Sequence, residues 1–121
     1  MPLKVKATPG RPGVMVISPI GAIDASTYTI LEDKVAEVLK ESPDVILFDM
    51  EFTNYISSTG IRVLLKTKKT LKETDGKMVF MNLQPPIKKV FDILQAIPKL
   101  KVFASIQELD NYLDVMQKTA R

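Results

Sequence analysis

The sequence predicts an α/β fold with a mostly parallel central sheet, an antiparallel edge strand and about four helices. Segments with the apolar spacing of a helix alternate with short apolar runs of strand length. The run Val45-Ile46-Leu47-Phe48 is apolar throughout, which is typical of a parallel strand covered on both faces. Residues 3–8 and 14–17 flank a turn rich in Gly and Pro, and are therefore expected to pair as a hairpin at the sheet edge.

The first half of the chain is expected to contain two strands, over residues 3–8 and 14–17, and a helix. Residues 19–24 should leave the sheet through Gly21. Asp24 is a good N-cap, so the helix is predicted over residues 24–40. Thr29 and Glu32 also fit a capping box, which leaves the start open by about one turn. The stripe on this helix consists of Tyr28, Leu31, Val35 and Val38.

The second half is expected to follow the order strand, helix, strand, helix, strand, helix. Residues 49–55 are predicted as a loop between the strand 45–48 and a helix over residues 58–73, whose apolar face comprises Ile61, Leu64, Leu65 and Leu71. A strand over residues 77–81 precedes a helix that starts after Pro85-Pro86 and ends at Pro98. Residues 102–103 form a short strand, Ser105 caps a last helix, and residues 117–121 fray. The order ββαβαβαβα fills a single domain over residues 1–121.

The composition argues against several classes of function. The 121 residues include no Cys and no His, which excludes a disulfide framework, a thiol nucleophile, a Cys/His zinc site and a histidine general base. No nucleotide-binding glycine loop occurs, so no cofactor is expected. Carboxylates alone could hold a metal ion, but no cluster of acidic residues indicates a metal site. The net charge of +3 is small and mixed, which is not typical of nucleic-acid binding. No apolar run is long enough for a membrane span, and a cytoplasmic protein is expected.

Three hydroxyls stand in a row at the predicted start of the second helix, in Ile56-Ser57-Ser58-Thr59-Gly60-Ile61. A helix start carries partial positive charge and free N–H donors, so it tolerates an anion such as a phosphate on serine. Gly60 is expected to keep the surface beside the hydroxyls small, so that another protein can approach. The alternative is that these residues only cap the helix.

Arg62, Lys66 and Lys69 are spaced four and three residues apart, and therefore share one face of the same helix. One interpretation is a solvated face. The other is a docking rim for an acidic partner.

Several of these segments resemble a known family, the STAS domains, and among them the bacterial anti-sigma factor antagonists. The resemblance includes the predicted element order, the strand that ends in Asp49, and the segments Gly21-Ala22-Ile23-Asp24, Tyr55-Ile56-Ser57-Ser58-Thr59-Gly60-Ile61 and Pro85-Pro86-Ile87-Lys88-Lys89-Val90-Phe91. It covers nearly the whole chain.

The resemblance implies a protein that binds an anti-sigma factor, which is also a serine kinase, and so frees a sigma factor for transcription. That kinase switches the antagonist off by phosphorylation, and a metal-dependent serine phosphatase restores it. Ser58 matches the phosphorylated serine, and the partner surface would include Asp24, Ser57, Ser58, Thr59, Gly60 and Arg62. The implied function is binding rather than catalysis.

One position departs from the family pattern, because Ser57 stands where an aspartate precedes the phosphorylated serine. Serine can cap the helix but lacks the charge. The alternatives are therefore phosphorylation of Ser57 or Thr59, or a STAS protein without the switch that serves as a scaffold or as a subunit of a transport complex.

Overall fold

The computed structural model describes residues 3–94, 101–103 and 106–119. In chain order its elements are β1 (Lys4–Pro9), β2 (Val14–Ile23), α1 (Tyr28–Leu39), β3 (Val45–Asp49), β4 (Thr53–Ile56), α2 (Ser58–Lys72), β5 (Lys77–Met81), α3 (Pro85–Leu94), β6 (Lys101–Phe103) and α4 (Ile106–Thr119). In this described part of the chain, no helix is both long and apolar enough to cross a membrane.

The strands form one sheet in the order β1-β2-β3-β5-β6, and β4 also pairs with β2. β1 is antiparallel to β2, whereas every other pairing is parallel. The predicted α/β class is confirmed, including the mostly parallel sheet, the antiparallel edge strand and the four helices. β2 pairs with β3 through residues 14–17 and with β4 through residues 21–23, so two different stretches of β2 bind the two strands.

Two predictions about this part of the sheet are wrong. The predicted loop over residues 49–55 contains the start of β4, and β2 does not leave the sheet at residue 19 but continues to Ile23. Pro19 cannot donate to a ladder, but its carbonyl oxygen accepts a hydrogen bond of 2.8 Å from the hydroxyl of Thr53, which is buried. Gly21 adopts φ +120° at a register shift, a conformation that favours glycine, and this bend lets β2 reach β4.

The first helix begins at Tyr28, and not at Asp24 as predicted. An aspartate side chain can bond backbone groups two residues further on, which favours a turn over a helix. The carboxylate of Asp24 does so here, accepting a hydrogen bond from the backbone N–H of Ser26. Leu31, Val35 and Val38 are buried as predicted.

The core lies on both faces of the sheet, because successive residues of β3 and β5 point to opposite sides. Ile46, Phe48 and Phe80 face α1, α2 and α3, and Phe80 stacks against Phe48 with ring centroids 5.2 Å apart. Phe91 of α3 meets Phe80 edge to face at 5.5 Å. On the other face, the buried cluster Val14, Val45, Leu47, Val79 and Met81 packs against Tyr112 of α4. The prediction that residues 45–48 are covered on both sides is confirmed.

The apolar face of α2 differs at one predicted position. Leu65 is 38% exposed, whereas Val63 and Thr67 are buried, and Thr67 satisfies its hydroxyl by donating to the carbonyl of Val63 at 2.7 Å. α4 continues to Thr119, so residues 117–119 of the predicted frayed tail are helical, and residues 120–121 lie outside the described residues. The predicted stop at Pro98 and the predicted cap at Ser105 lie outside the described residues.

Candidate functional site

Two polar turns lie side by side at the carboxyl edge of the sheet. Ile23 ends β2 and Ile56 ends β4, and these two residues are partners in the parallel register. The residues that follow them are therefore neighbours as well, and the backbone N–H of Ser57 donates to the carbonyl oxygen of Ile23 at 2.8 Å. We call residues 24–27 the aspartate turn and residues 57–60 the serine turn.

The serine turn begins α2 with Ser57 as its N-cap. Ser57 has extended backbone angles, and its Oγ accepts a hydrogen bond from the backbone N–H of Gly60 at 3.3 Å. The same oxygen lies 2.6 Å from Oγ1 of Thr59, so these two hydroxyls are bonded to each other. Both residues are half-buried. Serine thus performs the capping that the sequence predicted, with Thr59 as a second partner.

Ser58 is the exposed member of the three hydroxyls. Its side chain makes no hydrogen bond to any residue that the structure describes. It is the first residue of α2, where the positive end of the helix dipole lies. Ser58 therefore does not lie in the interior, where another protein could not have modified it.

Gly60 serves packing rather than access, contrary to the expectation for its small size. It is buried, and a Cβ atom added to it would lie 2.7 Å from side-chain carbons of both Ile23 and Ile56. The missing side chain thus faces the core and not the surface beside the hydroxyls. It allows the first turn of α2 to rest directly on β2 and β4.

The aspartate turn is closed by its own polar groups. The carboxylate of Asp24 accepts hydrogen bonds from the backbone N–H and the Oγ of Ser26, at 2.9 and 2.7 Å. Oγ1 of Thr27 donates to the carbonyl of Ala22 at 2.8 Å and accepts from the backbone N–H of Asp24 at 2.9 Å. The hydroxyl and backbone donors of Ser26 together hold the pKa of Asp24 below its ordinary value of 3.8. Asp24 is therefore a fixed negative charge beside the serine turn at neutral pH.

Two exposed aromatic residues near these turns were not predicted. Phe52, before β4, is 60% exposed and Tyr55, within β4, is 51% exposed. The carbonyl of Phe52 accepts from the N–H of Gly21, and Tyr55 pairs with Ala22, so both lie beside the end of β2 that leads into the aspartate turn. Exposed aromatic side chains are enriched at protein interfaces. Tyr55 stands two positions before the three hydroxyl residues, and an aromatic residue there was a signal for a further site residue. It was overlooked because residues 49–55 were predicted as a loop.

Arg62, the remaining predicted site residue, is exposed on α2 and forms no ion pair with the described residues. Within the same ranges, no group of three acidic side chains is placed to hold a metal ion. The arrangement can present a hydroxyl, a fixed carboxylate and aromatic surface to another protein.

The chain belongs to the STAS domain family, whose model matches residues 6–109. It is similar to BtrV of Bordetella bronchiseptica, an inferred anti-sigma factor antagonist, with 28% identity over 81 residues that cover 67% of this chain and 70% of BtrV. The resemblance stated from the sequence is thus confirmed at the level of the family.

Three solved structures, of two proteins, show the same fold. The anti-sigma factor antagonist SpoIIAA of Bacillus is 17% identical; its unphosphorylated form superposes with a TM-score of 0.77, covering 92% of this chain and 97% of SpoIIAA. Its phosphorylated form gives 0.69, covering 90% and 99%. A sulfate transporter family protein from Wolinella succinogenes is also 17% identical and gives 0.75, covering 92% and 93%.

Proposed function

We propose that this chain is an anti-sigma factor antagonist that binds an anti-sigma factor and is released when Ser58 is phosphorylated. The observation that carries the proposal is the exposed Ser58 hydroxyl at the start of α2, between two hydroxyls that are already bonded to each other. The similarity to BtrV supports the partner class, and the phosphorylated form of SpoIIAA supports a switch on this fold.

Ser58 is the favoured acceptor for a steric and a chemical reason. A kinase must reach the hydroxyl oxygen, and Ser58 is exposed whereas Ser57 and Thr59 are half-buried. Phosphorylation of Ser57 would also convert into a phosphoester the hydroxyl that bonds Thr59 and accepts from the N–H of Gly60. Phosphorylation of Ser58 breaks no hydrogen bond among the described residues, and the helix dipole accommodates the added charge of about −1.5 to −2.

The partner surface in this proposal joins both turns. Asp24, Ser57, Ser58 and Thr59 supply backbone and polar groups, whereas the buried Gly60 contributes by packing beneath them. Arg62 lies one helical turn further along α2. The partner is an anti-sigma factor with serine kinase activity, and a metal-dependent serine phosphatase reverses the modification. A phosphate on Ser58 would weaken binding by changing charge and shape at this surface, without refolding the antagonist. Such a partner places the protein in the cytoplasm.

The acceptor is tested by incubation with the kinase-type anti-sigma factor and Mg-ATP, followed by mass-spectrometric mapping. We expect phosphate on Ser58 in the wild type and in Thr59→Ala, and none in Ser58→Ala. Phosphate on Ser57 or Thr59 instead, or on none of the three, contradicts the assignment.

The release is tested by calorimetric titration of the same anti-sigma factor with Ser58→Asp and Ser58→Ala. We expect the Asp variant to bind at least tenfold more weakly and the Ala variant to bind like the wild type. Ser42→Asp is the matched control, because Ser42 is exposed in the turn before β3, at the opposite edge of the sheet. Its positive φ of 50° is tolerated by aspartate. Equal binding by Ser58→Asp and Ser42→Asp would refute charge control at Ser58.

A second candidate is a STAS module without the switch, as a scaffold or as part of a transport complex. Ser57 in place of the family aspartate and the shared fold of the Wolinella transporter family protein favour it. Neighbouring genes separate the two candidates, since a kinase and a sigma factor support the first and a permease supports the second.

A further inference from the structure

An open groove runs between α1 and α2 on the outer side of the sheet, away from the two turns. Its lining is mostly aliphatic, with Val35, Ala36 and Leu39 from α1 and Val63 and Thr67 from α2. The groove has a volume of about 90 Å³. Compared with a cavity of about 150 Å³ that binds benzene, that volume suits one aliphatic side chain. Its shape thus resembles the hole that receives a single knob in helix–helix packing.

One rim of the groove carries unpaired positive charge. Lys66 lines the groove, and Arg62 and Lys69 share its face of α2. All three are exposed and form no ion pair within the described ranges. Over seven residues they extend about 10 Å along the helix axis. Glu32 lies on the opposite rim but does not pair with Lys66, so the groove stays open between opposite charges.

The stability of α2 accounts for only some of these cationic residues. Lys69 and Lys72 lie in the last turn of α2, where cations favour the helix dipole. Arg62 lies near the other end, where a cation gains nothing from the dipole, and Lys66 lies in the middle. By contrast, Lys34 of α1 is paired with Glu37 at 3.5 Å. Lys66, which lines the aliphatic hole, and Arg62 and Lys69, which share its face of α2, are therefore available to a partner.

We propose that the α1–α2 groove binds an acidic amphipathic helix of a partner protein. One aliphatic side chain of that helix enters the hole, and carboxylates spread over about two turns face Arg62, Lys66 and Lys69. The charge of the rim selects an acidic segment, and the narrow hole selects a side chain over a flat lipid surface. This interaction goes beyond the proposed function, because it requires neither Ser58 nor phosphate.

The test uses the full chain labelled with ¹⁵N and a synthetic helical peptide of roughly 14 residues, with Leu on one face and Glu flanking it. A matched peptide with every Glu replaced by Lys keeps the apolar face and reverses the charge. We expect amide shifts of Ala36, Val63 and Thr67 with the acidic peptide only. Lys66→Glu/Lys69→Glu should weaken binding at least tenfold, and Ala36→Leu should abolish it by filling the hole.

Lys77→Glu is the charge control, because Lys77 is exposed at the start of β5, and this variant should bind like the wild type. Equal binding of both peptides, binding of neither, or shifts confined to Phe52 and Tyr55 would overturn the proposal. Capture by anionic vesicles without peptide binding would also overturn it, because that result indicates a lipid surface. Concentration-dependent shifts at the groove without peptide would overturn it as well, because they indicate a second copy of the chain. Ser58→Ala should bind the peptide normally, so failure of the proposed switch would leave this result unaffected.

Discussion

The aspartate turn and the serine turn occupy equivalent positions and use their polar groups in opposite ways. Each follows one of two paired residues at the ends of parallel strands. In the aspartate turn, Asp24, Ser26 and Thr27 all bond within residues 22–27. In the serine turn, Ser57 and Thr59 bond each other, and the Ser58 hydroxyl has no partner among the described residues. The polar groups of the aspartate turn thus stabilise the fold, whereas the serine turn presents the Ser58 hydroxyl for reaction.

The difference explains how a modification can act without unfolding the site. A group that holds the fold together cannot change charge cheaply, because its buried partners would lose their hydrogen bonds. A group that holds nothing can be changed at little structural cost. The comparison predicts that substitutions in these turns differ sharply in their effect on stability, according to the bonds that each side chain makes.

The largest effect on stability is expected for Gly60→Ala, which disrupts the packing beneath both turns. The new methyl group would lie 2.7 Å from carbons of both Ile23 and Ile56, which are themselves buried. We expect the free energy of unfolding to fall by about 1–3 kcal/mol. Urea denaturation measures it. Gly10→Ala is the matched control, since its methyl group would find contacts at 3.5 Å, and a loss as large as that of Gly60→Ala would disprove the packing argument.

A second effect of comparable size tests the aspartate turn against the serine turn. Thr27→Val keeps the volume of a buried side chain but leaves the carbonyl of Ala22 and the N–H of Asp24 without the Thr27 hydroxyl. Its unfolding free energy should fall by about 1–3 kcal/mol. Ser58→Ala removes a hydroxyl from the neighbouring turn and should change the same quantity by less than about 0.5 kcal/mol. Similar losses in the two variants would erase the distinction between the turns.

A smaller effect is expected at Ser57, the cap of α2. Ser57→Ala removes the acceptor for the N–H of Gly60 and the partner of Thr59, and should reduce the unfolding free energy by about 1 kcal/mol. Ser57→Asp restores a capping oxygen and adds a charge that favours the helix start, so it should retain the stability of the wild type. If Ser57→Asp is as unstable as Ser57→Ala, the cap does not account for this serine.

The sequence predicted those elements whose signal is local. The apolar run 45–48, the stripe Leu31–Val35–Val38 and the capping serine at α2 depend on residue spacing and on hydrogen bonds a few residues long, and all three are present. The proximity of the two turns was implied only by the family resemblance, and in the structure it follows from the pairing of Ile23 with Ile56.

The features that were missed depend on contacts between distant residues. β4 exists because residues 21–23 bend at Gly21 to meet it and because Thr53 bonds Pro19, 34 positions away. Leu65 was predicted to lie on the apolar face of α2, yet the orientation of α2 against the sheet buries Val63 and Thr67 instead. The packing role of Gly60 likewise depends on Ile23, which no local pattern around the glycine reveals.

The smallest expected effect concerns the charge of Asp24. The hydroxyl of Ser26 is the largest cause of its lowered pKa, and the backbone N–H of Ser26 is the second. In an NMR titration, the Asp24 carboxyl should therefore have a pKa below 3.8 in the wild type, and Ser26→Ala should raise it while retaining the backbone bond. An unchanged pKa in Ser26→Ala would show that the hydroxyl does not hold the carboxylate.

The lowered pKa also fixes the direction of the pH dependence. Because the folded pKa of Asp24 lies below the unfolded value, its ionised form stabilises the fold at neutral pH. That contribution is lost as the pH falls below about 4 and through the folded pKa. Wild type should thus lose more stability than Asp24→Asn over this acidic range, whereas Ser58→Ala should lose as much as wild type. The Asp24 carboxylate of the aspartate turn would then contribute to the pH dependence of stability, and the Ser58 hydroxyl of the serine turn would not.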